Sequence, residues 1–320
     1  MTDALSRVLD EYSLRLSNWG RWGDDDDCGT TNLATPKQIR GAAQDIVSGD
    51  VVSIALPIGP DGPQSGRNGR FNCLRYSTST GSDHSLGLQT WNGGPLPHEV
   101  GFADDTIVMH LHSATHWDSL GHVFHKGKGF NGVDATAVTA EGASRLGAEH
   151  LADRFVGGCV LVDLPRAMDV PWLEDGRAVT VDDLEQTLER QGVQLRSGDL
   201  LLVRTGKLAR ARAEGWGTYA GGDAPGLSIH TAPWLHQREV AAVAADTWGV
   251  EVRPPEFPGA YQPMHIIAIV YMGLPFGEMF DLEALSQACA EDGRYRGFLS
   301  GPPLPIVGTA GGPPGPVVIR

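Results

Sequence analysis

The chain has 320 residues, 41% of them hydrophobic and 20% charged, so it can bury a core and is unlike a disordered segment. Its formal net charge is −14 with no Lys/Arg cluster, which disfavours phosphate backbones and anionic bilayers. Neither nucleic acid nor a membrane is therefore an expected partner. There is no run of about 18 apolar residues, and the N-terminus lacks the basic start and apolar stretch of a secretory signal. Cys28, Cys73, Cys159 and Cys289 are scattered and form no CxxC pair. That usage reads as reduced thiols in the cytoplasm.

In chain order, a helix is expected over residues 36–48. Thr35 is its N-cap, Pro36 suits its first turn, Gln38 completes a capping box and Gly49 ends it. The alternating, β-branched run GDVVSIALPI reads as a strand. Residues 59–105 are rich in Gly, Pro, Asn and Ser and read as long loops with room for a hairpin. Then come a strand over residues 106–112 (TIVMHLH) and a buried strand in GGCVLVDL near residue 160. Thr180 caps a helix over VDDLEQTLERQ, which Gly192 ends. DLLLVRTG, from Asp199, is another buried strand. Ser228 caps a helix through Trp234 and His236. VAAVAADT, from Val240, and HIIAIVYM, from His265, are further strands. Asp281 caps a helix over LEALSQACA, and PVVIR closes the chain as an edge strand. Helices follow strands often enough for an α/β or mixed architecture. GxGxxG, GxxxxGK[ST] and G-x-S-x-G are absent, which removes dinucleotide, P-loop and α/β-hydrolase readings.

Five of the eleven histidines fall between His110 and His125, in HLHSATHWDSLGHVFH. His112, His116 and Asp118 have the spacing H-x-x-x-H-x-D. Imidazole and carboxylate are the ligand types of Zn²⁺, Mn²⁺ and Fe²⁺. A strand ending at His112 and a sharp turn bring the three round one point. Three protein ligands leave positions open for water and substrate. His110 is assigned to packing and His125 to a supporting or surface position. If the chain turns helical beyond Asp118, His122 returns to the same face, where an imidazole suits acid–base work near neutral pH. Trp117, between two ligands, and Trp22, in NWGRWG, are candidate substrate contacts, with core packing as the alternative for each. Asp24–Asp27 reads as a solvated acidic turn. Arg204 reads as a structural salt bridge, and nothing near Cys28 activates a thiol.

These residues resemble the metal-dependent cyclase superfamily, which includes bacterial kynurenine formamidase and isatin hydrolase. Its hallmark is H-x-G-T-H-x-D-x-P-x-H, and this chain has H-S-A-T-H-W-D-S-L-G-H from His112 to His122. Ala114 and Leu120 replace the usual Gly and Pro, which resembles a longer subfamily of mostly undefined substrates. GDVVSIALPIGPDGP, GDLLLVRTG, APGLS, AADT and HIIAIVYMGLPFGEMFDLEAL extend the likeness over most of the chain. The resemblance implies a single swivelling β/β/α domain of the cyclase/kynurenine formamidase type over residues 1–320. Residues 1–48 are an N-terminal helical extension packed on it. It also implies one or two Zn²⁺ or Mn²⁺ ions. His112, His116 and Asp118 hold the first. Asp118 bridges to a second that His265 and Glu278 help hold. The implied activity is hydrolysis of an amide or ester, cyclic or linear, of a small carbonyl substrate. His122, from its position, is the expected proton carrier, with a hydrogen bond to a ligand carboxylate as the alternative. The implied assembly is a cytoplasmic homodimer or homotetramer. A cyclase or lyase, and a non-catalytic metal-binding protein, are the rival readings of the same residues.

Overall fold

The structure is a computed structural model that describes residues 2–320. Nine strands form one sheet in the order Val51–Ser53, Val317–Ile319, Arg296–Ser300, Val156–Asp163, Leu200–Arg204, Ala242–Ala245, Phe276–Glu278, His116–Asp118, Gly311–Gly312. The strands from Val156–Asp163 to Phe276–Glu278 are parallel to one another. Those on either side are antiparallel. Helices Val181–Arg190, Lys207–Glu214 and Ala232–Gln237 lie between successive parallel strands in the chain. The fold is the mixed α/β one expected.

The parallel strands are buried on both faces, which is why they are near-continuous apolar runs. Alternation still sorts their side chains. Val160, Val162, Leu201, Val203, Val243 and Phe276 enter one core cluster. Cys159, Leu161, Leu200, Leu202, Ala242 and Ala244 enter another, beneath the opposite face. The first cluster also takes Leu9, Tyr12 and Leu16 from and just beyond the helix Thr2–Arg15. Among the described residues no helix is long and apolar enough to cross a membrane.

Several expected elements differ, among them the strand in GDVVSIALPI, which is only Val51–Ser53, and the last helix, whose N-cap is Leu282 rather than Asp281. The helix after Thr35 runs only from Pro36 to Ala42, then tightens to a 3₁₀ turn over Ala43–Asp45. Thr35 Oγ1 accepts the Gln38 N–H at 3.4 Å, but the Gln38 side-chain oxygen has no partner, so only half of the capping box forms. The strand expected to reach His112 spans Asp104–Val108 and pairs with Leu74–Ser79. It stops short because the chain turns at His110, whose carbonyl accepts the Ser113 N–H. The terminal strand Val317–Ile319 is not an edge, since Val51–Ser53 pairs outside it.

The largest difference is HIIAIVYM, which is helical, with Pro263–His265 leading into a π-helix over Ile266–Met272. Ile267, Ala268, Ile269, Val270 and Met272 are all buried, so the helix is apolar all round and its sequence has no 3.6-residue stripe. Gly273, at φ 64, ends it in the left-handed conformation that glycine adopts without a Cβ penalty.

Candidate metal centre

Residues 116–118 show how the sheet presents the site. His116 and Asp118 project from one face of their strand and Trp117 from the other. Trp117 is buried in the second core cluster, stacked on Phe155 at 4.0 Å between ring centres, and donates its indole N–H to Gly301 O at 2.7 Å. The expectation that it touches substrate is therefore corrected. Strand alternation sends it away from the ligands, and it holds the strand instead. Trp22 packs against the first cluster under the Arg21 guanidinium, 4.9 Å from its ring centre, and does not line the cavity described below.

Asp118 stands at the centre. Its Oδ1 lies 3.6 Å from His112 Nε2, 3.4 Å from His116 Nε2 and 3.7 Å from His122 Nε2. Its Oδ2 lies 3.9 Å from His265 Nε2. Glu278, at the end of a parallel strand, brings Oε2 to 3.3 Å from His116 Nε2 and Oε1 to 3.2 Å from His265 Nε2. Two groups share Asp118: His112, Asp118 and His122, and His116, Asp118 and Glu278, each with ligand atoms within 4.8 Å of one another. His122 gets there without a helix. A turn returns it, with its N–H donated to Ser119 O at 3.1 Å.

The site fits a divalent ion. His112 Nε2, His116 Nε2 and both Asp118 carboxylate oxygens are buried without a hydrogen-bond partner. Buried polar atoms are normally paired, because leaving one unpaired costs about 1–3 kcal/mol. Two donors each about 2.1 Å from a tetrahedral ion stand about 3.4 Å apart, close to the separations around Asp118. The imidazoles are also oriented. His116 Nδ1 lies 2.8 Å from Ala114 O, and His265 Nδ1 lies 2.5 Å from Glu251 Oε1. With Nδ1 carrying the proton, Nε2 is free to bind metal.

Without an ion the charges compensate one another. Burial disfavours charge on His116, but Asp118 and Glu278 outweigh it and raise the pKa to about 9. Burial likewise opposes charge on His265, yet Glu251 and Glu278 raise it to about 10. Burial, then the neighbouring His116 and His122, pushes His112 well below the ordinary imidazole value. His122 is also lowered, by burial working against Asp118 and Glu278. Burial works against charge on Asp118 too, but His122, His116 and His112 hold it well below the usual carboxylate range.

Local structure explains the motif. The Thr115 hydroxyl donates to Met279 O at 2.6 Å and accepts the Leu56 N–H at 2.8 Å, tying the ligand loop to the segment bearing Glu278. Ala114 supplies the carbonyl that orients His116, and Leu120 is fully buried in the first cluster. His110 packs edge-on to Phe71 at 4.4 Å, and His125 lies 2.8 Å from the Tyr271 hydroxyl. In the acidic run, Asp27 takes Arg145 Nε at 2.8 Å and Asp26 accepts the Gly29 N–H. Arg204 is the structural bridge expected, to Asp163 and Glu283. Burial pushes the Cys28 thiol up, as befits an unactivated cysteine.

Glu251 was missed by the sequence reading. Its carboxylate accepts the Met264 and His265 N–H groups at 3.2 and 3.1 Å, besides contacting the His265 ring. The available signal was an acid between Val250 and Val252, because a buried carboxylate requires a partner. A cavity of about 400 Å³ opens beside the cluster, lined by His122 and Glu278 together with Arg70, Phe124, Trp248 and Tyr261.

The sequence profile of the Cyclase family matches residues 30–252. A crystal structure described as a novel cyclase is 34% identical, with a TM-score of 0.86 and coverage of 96% of this chain and 99% of that one. Isatin hydrolase A from Ralstonia solanacearum shares the fold at a TM-score of 0.59, with 18% identity over 89% of this chain and 97% of its own. Isatin hydrolase A from Labrenzia aggregata, bound to benzyl benzoate, does so at 0.58, with 16% identity over 88% and 98%. No curated protein matches the chain.

Proposed function

The chain belongs to the cyclase family, and we propose that it is a metal-dependent hydrolase that cleaves an amide or ester bond, cyclic or linear, in a small carbonyl compound. The observation that supports this reading is that two ligand groups meet at Asp118, His112 with His122 and His116 with Glu278, and that His112 Nε2, His116 Nε2 and both Asp118 oxygens are buried without a hydrogen-bond partner. In this reading His112, His116 and Asp118 hold one Zn²⁺ or Mn²⁺ ion, and His265 and Glu278 share Asp118 in holding a second. When bound, such an ion supplies Lewis acidity, which polarises a carbonyl and makes water nucleophilic near neutral pH.

His122 is the proton carrier. It is the one imidazole of the cluster that lines the cavity, and burial keeps it neutral, ready to accept a proton. It then returns that proton to the leaving nitrogen or oxygen. Phe124, Trp248 and Tyr261 give the cavity flat apolar walls, which favours an aromatic or ring-containing substrate.

The reaction class is tested in ¹⁸O water with metal-loaded protein and a panel of aryl formamides, anilides, esters and lactones. Label in the carboxylate product, abolished by a chelator, is expected. Ring closure or dehydration without label would replace hydrolysis by the cyclase or lyase reading. His122→Ala should keep its metal while turnover falls about 10²- to 10⁴-fold. Loss of metal with the histidine would make His122 a ligand instead.

A further inference from the structure

The cavity beside the metal cluster carries positive charge that no protein acid answers. Arg70 lines it, half-buried, on the loop before the strand Leu74–Ser79. Its Nη1 donates to His112 O at 3.3 Å, the one hydrogen bond its side chain makes among the described residues. No carboxylate lies within 4.0 Å of its guanidinium among those residues. A second guanidinium stands behind the aromatic wall. Arg253 lies 5.2 Å from the Trp248 ring centre and 5.7 Å from that of Tyr261, and both rings line the cavity. Its Nε and Nη1 are buried without a partner, and it too has no acid within ion-pair distance among the described residues. Glu278 reaches the cavity, but its two oxygens are engaged by His116 and His265.

What sets Arg70 apart from other arginines without an acid partner, such as Arg67 and Arg190, is that it lines the cavity beside the metal cluster. An unpaired guanidinium facing a solvent-filled cavity is a ready partner for a planar anion, which it binds through a fork of parallel N–H donors. From these placements we infer that the substrate carries a carboxylate of its own, held by Arg70 while the bond to be cleaved faces the metal cluster. The inference rests on the hydrolase reading and narrows its substrate class to small, flat amides or esters with an anionic carboxylate at one end. Arg253 adds a positive field through the wall, and Trp248 and Tyr261 take the flat body between the two charged ends.

The test uses a matched pair, 4-formamidobenzoate and formanilide, which differ only by the carboxylate, placed across the ring from the scissile bond. Binding of each to the metal-loaded protein is measured by calorimetry for wild type, Arg70→Met and Arg70→Lys, with metal content determined for each because Arg70 also supports the His112 carbonyl. Wild type should bind the anion about 10- to 100-fold more tightly, the range for a hydrogen bond to a charged group. Arg70→Met should bring the two compounds within about 3-fold, and Arg70→Lys should fall between. Equal binding by wild type, or an undiminished preference in Arg70→Met with its metal retained, overturns the inference. The second result would mean that the ions take the carboxylate. Formate release is followed in parallel. Anion preference without release from either compound leaves the inference standing and counts against hydrolysis. Release from both without preference does the reverse.

Discussion

Gly311 tests whether the His112 ring sits where a metal needs it. Gly311 pairs with Asp118 in antiparallel register on the outermost strand of the sheet. A Cβ there would collide with His112 Nε2, and would also lie 3.1 Å from His112 Cε1 and 2.7 Å from Trp117 O. Trp117 O is ladder backbone, so the strand bearing residue 311 must shift away from it, and the imidazole must give way as well. Non-bonded heavy atoms settle near 3.5 Å, so the ring has to withdraw by roughly 1 Å. Metal–ligand distances tolerate only about 0.2 Å. Gly311→Ala should therefore remove His112 as a donor, with a further cost in stability as the outermost strand shifts. The cost in affinity should be at least the 10- to 100-fold typical of losing an outer partner of a ligand, or about 1.4–2.7 kcal/mol. Competition of Zn²⁺ between protein and a chromophoric chelator measures it, with elemental analysis for stoichiometry. Gly312→Ala is the control. Its Cβ would meet Pro303 Cβ at 3.3 Å and Leu304 O at 3.5 Å, clear of the ligands, so it should cost stability without costing metal. Zn²⁺ affinity of Gly311→Ala within about 3-fold of wild type, or an equal loss in Gly312→Ala, would refute the reasoning.

Glu251→Gln removes the charge that orients His265, and should weaken one ion of a two-ion site by about 10- to 100-fold. An unchanged two-ion titration would show that Glu251 has no such part. His116 and His265 have pKa values of about 9 and about 10 in the metal-free fold, against roughly 6.5 unfolded. The metal-free protein thus binds more protons folded than unfolded, and loses stability as pH rises from about 6.5 through those values. Metal loading must expel the same protons, so affinity should rise with pH over that window. Melting temperatures of the two forms between pH 6 and 9 should diverge, and parallel profiles would contradict the assignment. Arg204→Met leaves Asp163, which is 1% exposed, without its 2.7 Å partner. It should cost about 3–5 kcal/mol in urea unfolding with metal stoichiometry unchanged, and a loss under about 1 kcal/mol would make the bridge dispensable.

What could be read from the sequence follows a physical division. The strands Val156–Asp163, Leu200–Arg204 and Ala242–Ala245 were visible because a parallel sheet buries both faces and requires short apolar runs between turn residues. HIIAIVYM satisfies the same description, and only its tertiary setting makes it a helix. Pro263 starts it, the distant Glu251 caps it through the Met264 and His265 N–H groups, and core surrounds it. His112, His116, Asp118 and His122 were legible because four ligand-type side chains fall within eleven positions. Glu278 and His265 came only through the family resemblance, since each is one polar residue in an apolar segment. Glu251 left the same faint trace, an acid between two valines, and Arg70 and Gly311 left none. Their parts depend on which remote loop the fold brings to the cluster. Trp117 was misjudged because sequence proximity to the ligands says nothing about which face of a strand a residue takes.

The charge pattern of the metal-free cluster has a consequence for how the site assembles. Its ligands come from segments far apart in the chain, residues 112–122 on one side and His265 and Glu278 on the other. Asp118 and Glu278, on adjacent strands of the sheet, would repel one another if nothing stood between them. The raised pKa values of His116 and His265 supply the counter-charge, so imidazolium–carboxylate pairs at 3.2–3.4 Å hold the ligands near the spacing that an ion requires. Little movement is needed to seat an ion, because His116–Asp118 at 3.4 Å and His265–Glu278 at 3.2 Å already match the roughly 3.4 Å separation of two ligands on one tetrahedral ion. Preorganisation of this kind is also why the outer contacts matter: Thr115 on Met279 O, Ala114 O on His116 and Glu251 on His265 fix the ring planes before any metal arrives.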